Sequence, residues 1–341
     1  MLSVKIGRRR LLLFALAAML LFSGCRRGRG RAGEPAYVSA PQAILRDRVA
    51  AVYNKTGSVK NGERVEILDR DRRFARVRTA NKTEGWMEQR YLVTQQVYEE
   101  FQELAQQEQS APVQALGITR NEINLHLQPG RDTDHLYQLD QGAKVSLLKR
   151  QSVEKSLPGV AARPAAGAKT GTPPAPAMED WWLIRDAQGH AGWLLGRMMD
   201  VDVPIEVAQY AESQRIVATF VLNEVQDGDK KVAQYLMLAS EPKDGLPFDF
   251  NQIRVFTWNV KRHRYETAYR ERSLNGVLPV TVSQESFDKE GTLPVFVVRV
   301  KDDDGNTLER KYKLNTPMVR RVLAPGEAPP AGRRSSAKKR R

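Results

Sequence analysis

The chain has 341 residues, of which 28% are charged and 41% hydrophobic, and a formal net charge of +14. That length suits two to four small domains, and the composition is that of a globular protein, not of a disordered or fibrous one. The basic excess sits at the two ends: residues 1–31 and 320–341 carry +15 between them, which leaves −1 on residues 32–319 and argues against a nucleic-acid-binding body. Cys25 is the only cysteine. No disulfide can therefore form within the folded body, and an exported chain of this kind must rely on its hydrophobic cores.

The first ten residues hold Lys5, Arg8, Arg9 and Arg10 and no acid, and Leu11 to Phe22 is an unbroken apolar run. Twelve residues of helix span roughly 18 Å, short of the ~30 Å hydrocarbon core, so the run reads as the apolar region of a signal peptide over 1–24. Phe22-Ser23-Gly24-Cys25 resembles the lipobox of bacterial lipoproteins. That resemblance implies cleavage before Cys25, a lipid on its sulfur and attachment to a membrane. An ordinary signal peptide with an incidental cysteine is the alternative, and Arg8-Arg9-Arg10-Leu11-Leu12 also permits twin-arginine export. Arg26 follows the cysteine in place of the aspartate that retains some lipoproteins at the inner membrane. In a two-membrane organism this leans towards the outer membrane or the periplasmic face. Residues 25–36 then read as a flexible basic tether.

Residues 37–93 read as short strands and turns. Arg64–Leu68, Phe74–Arg78, Gly85-Trp86-Met87 and Tyr91-Leu92-Val93 are the clearest, with Ala50–Tyr53 ahead of them and Lys60-Asn61-Gly62-Glu63 as a tight turn. Such spacing predicts a small barrel. The order Lys-x-Gly-x-x-Val, Phe-x-x-Val, Gly-Trp, Tyr-Leu resembles the bacterial SH3 domain family. Residues 94–112 lack Gly, and Val97, Phe101, Leu104 and Ala105 recur at helical spacing, which predicts an amphipathic helix packed between domains.

Residues 113–203 repeat the barrel pattern. Leu125-His126-Leu127-Gln128-Pro129-Gly130, Leu136–Val145, Trp181–Arg185 and Gly192-Trp193-Leu194 follow the same family order, with His126 in place of the usual arginine. Residues 151–180 form an insert rich in Pro, Ala and Gly that reads as a disordered loop. Residues 214–323 read as a third, all-β domain, a sandwich or a closed meander. Its expected strands are Ile216–Leu222, Val232–Leu238, Ile253–Val260, Tyr265–Arg270, Leu278–Ser283, Val295–Lys301 and Leu308–Leu314, and Asn275-Gly276 is among the expected turns. Residues 324–341 read as a disordered basic tail. The fold class is therefore mainly β: two SH3-like barrels joined by a helix, then a third β domain.

The residues carry no visible catalytic set. Peptidoglycan-cutting cysteine peptidases often bear bacterial SH3 domains, but the one thiol here is Cys25, ahead of any fold. His126, His135, His190 and His263 lack metal-ligand spacing, and Asp302-Asp303-Asp304-Gly305-Asn306 lacks the closing glutamate of a calcium loop and reads as a hairpin turn. No phosphate loop and no Gly-x-Ser-x-Gly elbow occurs. The chain is therefore expected to be no enzyme and to need no cofactor or metal. Candidate binding residues are aromatic: Trp86, Trp193, Tyr137, His126 and the pair Trp181-Trp182. Adjacent strand residues face opposite sides, so one of that pair is expected to be exposed. Trp258, near Phe256, is expected in the core, and Lys261-Arg262-His263-Arg264 forms a basic hairpin tip, a solvated turn or an anion site. Two functions follow from the sequence. The chain is an envelope lipoprotein whose SH3-like domains bind peptidoglycan peptides or an envelope protein. Alternatively, it is an accessory or scaffold subunit docking through the third domain.

Overall fold

The computed structural model describes residues 33–49, 54–156 and 176–323. The signal peptide, the lipidation at Cys25, the strand at 50–53, the middle of the insert and the basic tail lie outside the described residues.

Alternating apolar positions build the first sheet from β1 (Glu34–Val38), β2 (Gln42–Arg46), β3 (Lys55–Lys60), β4 (Arg64–Asp71), β5 (Phe74–Thr79), β6 (Glu84–Glu88) and β7 (Leu92–Thr94). Its strand order is β3-β2-β6-β5-β4-β1-β7. Val65 and Ile67 of β4 and Ala75 and Val77 of β5 turn inward onto Val38, Leu45, Val59 and Met87. The expected tether is shorter than read, because β1 already pairs with β4 from Glu34 onward.

The second sheet comprises β8 (Ala115–Thr119), β9 (Ile123–His126), β10 (His135–Leu139), β11 (Lys144–Glu154), β12 (Met178–Arg185), β13 (Ala191–Leu195) and β14 (Met199–Val201). Its order, β10-β9-β13-β12-β11-β8-β14, reproduces the first sheet strand for strand. Both copies use a Gly-Trp pair for one steric reason. A Cβ on Gly85 would strike Leu45, and one on Gly192 would strike Leu125, so only glycine lets β6 and β13 lie against β2 and β9. The insert is narrower than expected, because its flanks 151–154 and 178–180 are paired in β11 and β12.

Helix α1 (Gln95–Gln107) joins the barrels, with Thr94 as N-cap accepting from the Val97 N–H. Its apolar stripe serves both neighbours: Tyr98 stacks on Tyr37 at 3.8 Å, and Phe101, fully buried, meets Tyr137 edge-on at 5.5 Å. Asn61, in the β3–β4 turn, bridges the barrels directly. Its amide donates to the Val38 and Leu136 carbonyls and accepts from the Gln138 N–H.

The third sheet is a seven-stranded antiparallel meander, β15 (Arg215–Asp227), β16 (Lys230–Ser240), β17 (Phe250–Asn259), β18 (Arg264–Phe287), β19 (Gly291–Lys301), β20 (Thr307–Asn315) and β21 (Met318–Val322). It curls until β15 touches β19 across a core containing Leu222, Leu236, Phe250, Phe296 and Tyr312. The short helix α2 (Ile205–Ala208) covers the outer face, placing Val207 against Met237 and Phe256. Arg254 lies over the Phe256 and Tyr210 rings and bonds Glu212, which fixes that connection.

Two expectations fail in this sheet. The Asn275-Gly276 turn does not occur, and the strands expected on either side of it are one continuous β18. Between Arg272 and Gly276 the pairing with β17 slips from Gln252 to Phe250, Ser273 takes φ +60°, and Leu274 turns into the core. The turn signature thus marks a bulge where β18 passes from pairing with β17 to pairing with β19. Trp258 is half-buried near the end of β17 rather than in the core. It meets Tyr265 edge-on at 4.9 Å and donates to Asp227.

Gly276 lies directly over the Phe250 ring, with no room for a methyl group. Gly276→Ala should lower stability by about 1–3 kcal/mol through overpacking, read as a lower denaturant midpoint at unchanged m-value.

Candidate functional site

The six candidate binding residues go to four places. Trp86 is half-buried on β6, opposite Arg46 of β2 and Arg76 of β5. Tyr137 lies at the junction of the barrels, stacked on His190 at 3.8 Å and accepting from the Gln102 amide at 2.8 Å. Burial there pushes its phenol up to about 12, with Tyr98 adding to the shift. His126, Trp181 and Trp193 come together on the face of the second barrel turned towards α1. Trp193 pairs with His126 across β13 and β9, and Trp181 meets the imidazole edge-on at 5.1 Å. Trp182 points the other way, over Gly196.

The expected exposed indole does not exist. Trp181 is 2% exposed and Trp182 6%. The strand does send them to opposite faces, but both faces are covered. Leu104 and Ala111 from the helix and its exit, with Leu148 and Val153, close over Trp181, and the third domain closes over Trp182. The Trp181 Nε1–H is buried with no acceptor.

His126 is held neutral beside these indoles. Burial is the main cause, repulsion from His135 adds to it, and a bond to the Thr133 backbone opposes it, so its pKa falls to about 4. Nearby, Arg131 grips the buried Glu179 side-on, Nη2 donating at 2.6 Å and Nε at 2.8 Å. That contact is the main reason the Glu179 carboxyl lies below its usual range.

Sequence reasoning missed a cleft of about 470 Å³ between the second barrel and the meander. One wall carries Trp182, Gly196, Arg197 and Met199, and the other carries Arg215, Ile216, Ser240 and Lys243. Its floor is a buried ion network. Arg150, its side chain 8% exposed, meets Asp180 at 2.7 Å and Asp249 at 3.0 Å. It also donates to the Leu246 and Phe248 carbonyls. Arg215 reaches Asp180 at 3.1 Å and Asp244 at 2.9 Å. Burial alone would raise the Asp180 carboxyl. Bonds from the Gly245 N–H and Ser152, with the Arg150 charge, outweigh it and hold the group below its usual value. No local spacing pointed to it, because Arg150, Asp180 and Arg215 lie on three separate strands and Asp249 just ahead of a fourth.

The basic tip Lys261–Arg264 is exposed, but Arg262 and Arg264 already face Glu266, and His263 bonds Asp227 at 2.7 Å. Among the described residues no three His, Cys, Asp or Glu gather as a metal site.

Two predictions follow from the aromatic cluster. Trp181→Ala and Trp182→Ala should each cost about 3–5 kcal/mol of stability, visible as comparable losses in thermal midpoint. The unfolded chain protonates His126 near 6.5, whereas the folded chain resists until about 4, so the unfolded state takes up the proton first as pH falls. Stability should therefore decline across that window. His126→Gln should reduce the slope there, His135 supplying the remainder through its own burial-lowered pKa.

Residues 43–93 match the bacterial SH3 domain family. No curated protein sequence matches the chain. Among solved structures, an NlpC/P60 family protein from Bacillus cereus ATCC 10987 aligns at 11% identity and TM-score 0.23, covering 56% of this chain and 65% of its own. NlpC1 and NlpC2 from Trichomonas vaginalis align at 8% and 10% identity, with TM-scores of 0.18 and 0.17. These cover 72% and 82% of this chain and 93% and 97% of theirs. The chain thus carries a bacterial SH3 domain at residues 43–93, within a mainly β protein of three antiparallel sheets.

Proposed function

We propose that this protein is a non-catalytic, membrane-anchored component of a bacterial cell envelope that holds peptidoglycan peptides or an envelope protein through its SH3-like units. One observation carries the reading: a bacterial SH3 domain lies at residues 43–93, and residues 115–201 repeat its strand order. Domains of that family are often peptidoglycan-binding modules. The second unit is then a second domain of the same kind, too diverged in sequence to be matched directly. Cys25, after its apolar run and Ser23-Gly24, supplies the anchor in this reading. A scaffold role is favoured by one feature. Val113 and Leu116, with Phe220, border a groove between β8 and β15, and Leu116 is 54% exposed.

Incubation of the chain with purified sacculi should bring it down with the pellet at physiological salt, and protein left in the supernatant would rule out wall binding. Stoichiometric protein should release no muropeptides; their release would show an enzyme. Cys25→Ser should yield unprocessed or soluble protein in cell fractions. Unchanged processing and membrane attachment would remove the lipid anchor from the reading.

A further inference from the structure

The cleft between the second barrel and the meander has the features of a binding site, and the reading above does not use it. Its volume, about 470 Å³, falls within the roughly 300–1,000 Å³ of small-ligand sites. Its charges are not balanced. The lining contains five cations, Arg120, Arg150, Arg197, Arg215 and Lys243, and four aspartates. The aspartates are engaged internally: Asp200 by Arg120, Asp180 and Asp249 by Arg150, and Asp244 by Arg215. Lys243 is exposed and makes no ion pair among the described residues. Arg197 has one acidic neighbour, Glu179, at 3.7 Å and is 52% exposed. One cation therefore stands on each wall with charge to spare.

A second, independent observation lies on the Lys243 wall. Ser240 lines the cleft, is 3% exposed, and its hydroxyl has no hydrogen-bond partner. A buried hydroxyl without a partner costs free energy, and a ligand oxygen would relieve it. Apart from Gln214 the remaining lining is apolar, and much of it is small, with Val201, Val203, Ala208, Ala211 and Val217 alongside Trp182. Asp180 and Asp244 also line the cleft, so a multiply charged anion would be repelled in proportion to its charge. A single carboxylate carried on small side chains meets the least repulsion and still uses the apolar lining.

We propose that this cleft binds a short peptide by its free terminal carboxylate, held between Lys243 and Arg197 with Ser240 donating, and seats small side chains against the valines and alanines. This goes beyond wall binding by the SH3-like units and can fail independently of it, because the sacculus experiment reads the whole surface whereas the test below reads the cleft.

The test is calorimetric titration of the chain with Ala-Ala-Ala, its C-terminal amide and inorganic phosphate. The free acid should bind, and the amide should bind about tenfold more weakly or worse, as expected for a lost charge-assisted bond. Lys243→Ala and Arg197→Ala, both at exposed positions, should each weaken the free acid by about threefold to tenfold, and Lys243→Arg should restore most of the affinity. Ser240→Ala should weaken binding without lowering the thermal midpoint. Equal binding of acid and amide, no binding of the acid, or no effect of Lys243→Ala would overturn the proposal. Phosphate displacing the tripeptide at equal affinity would overturn it too, by reassigning the cleft to inorganic anions.

Discussion

The arrangement of the second and third units depends on one buried guanidinium. Arg150 leaves the second barrel on β11 and enters the connection between β16 and β17, where Asp249 and the Leu246 and Phe248 carbonyls receive it. Its own barrel supplies Asp180 and Ser152. A charge this far from water is tolerated only when its donors are satisfied. Planar guanidinium geometry then makes the satisfaction directional. Asp249 is anchored by the Leu278 N–H, and Asp180 by the Gly245 N–H, so the network pins loops of the meander as well as side chains. Removing one partner of such a set typically costs about 3–5 kcal/mol, whereas a well-packed apolar replacement of the whole set can be neutral. The network's contribution is therefore to fix orientation more than to add net stability. It holds the cleft walls at one separation.

The same logic extends towards the N-terminus with different chemistry. One apolar cluster runs from Tyr37 through Phe101 and Tyr137 into the second barrel and on to Phe250 and Phe296 of the third sheet. Asn61 adds a polar bridge between the barrels, and Gln114, almost fully buried, accepts from the Val280 N–H across the next junction. Each junction thus pairs apolar burial, which is undirected, with one satisfied amide, which is directed.

The fold was legible where period and turn chemistry agreed. β4, β5, β6, α1 and most third-domain strands follow from alternation, from Gly-Trp, and from the Val97-Phe101-Leu104 spacing. β1 was missed because Glu34-Pro35-Ala36 reads as tether, and only pairing with β4 makes it a strand. Asn275-Gly276 misled because the local preference for a turn is equally a preference for a bulge, and the collision beneath Gly276 chose between them. The cleft was not legible at all. Arg150, Asp180, Arg215 and Asp249 span about a hundred positions, and no local spacing encodes their meeting.

The tryptophan pair shows where local reasoning stops. A strand dictates that Trp181 and Trp182 face opposite ways, and they do. It does not dictate that either face is wet. In an isolated barrel one indole would lie outside the core and offer itself as an anchor. Here α1 and the segment after it cover Trp181, and the meander covers Trp182. Exposure is therefore a property of how the units assemble, and any binding surface must be sought where the assembly leaves a gap. Trp182 borders such a gap, with Arg197 beside it and Lys243 opposite. An indole expected to act as an exposed anchor instead forms the apolar wall of a cleft built by two domains.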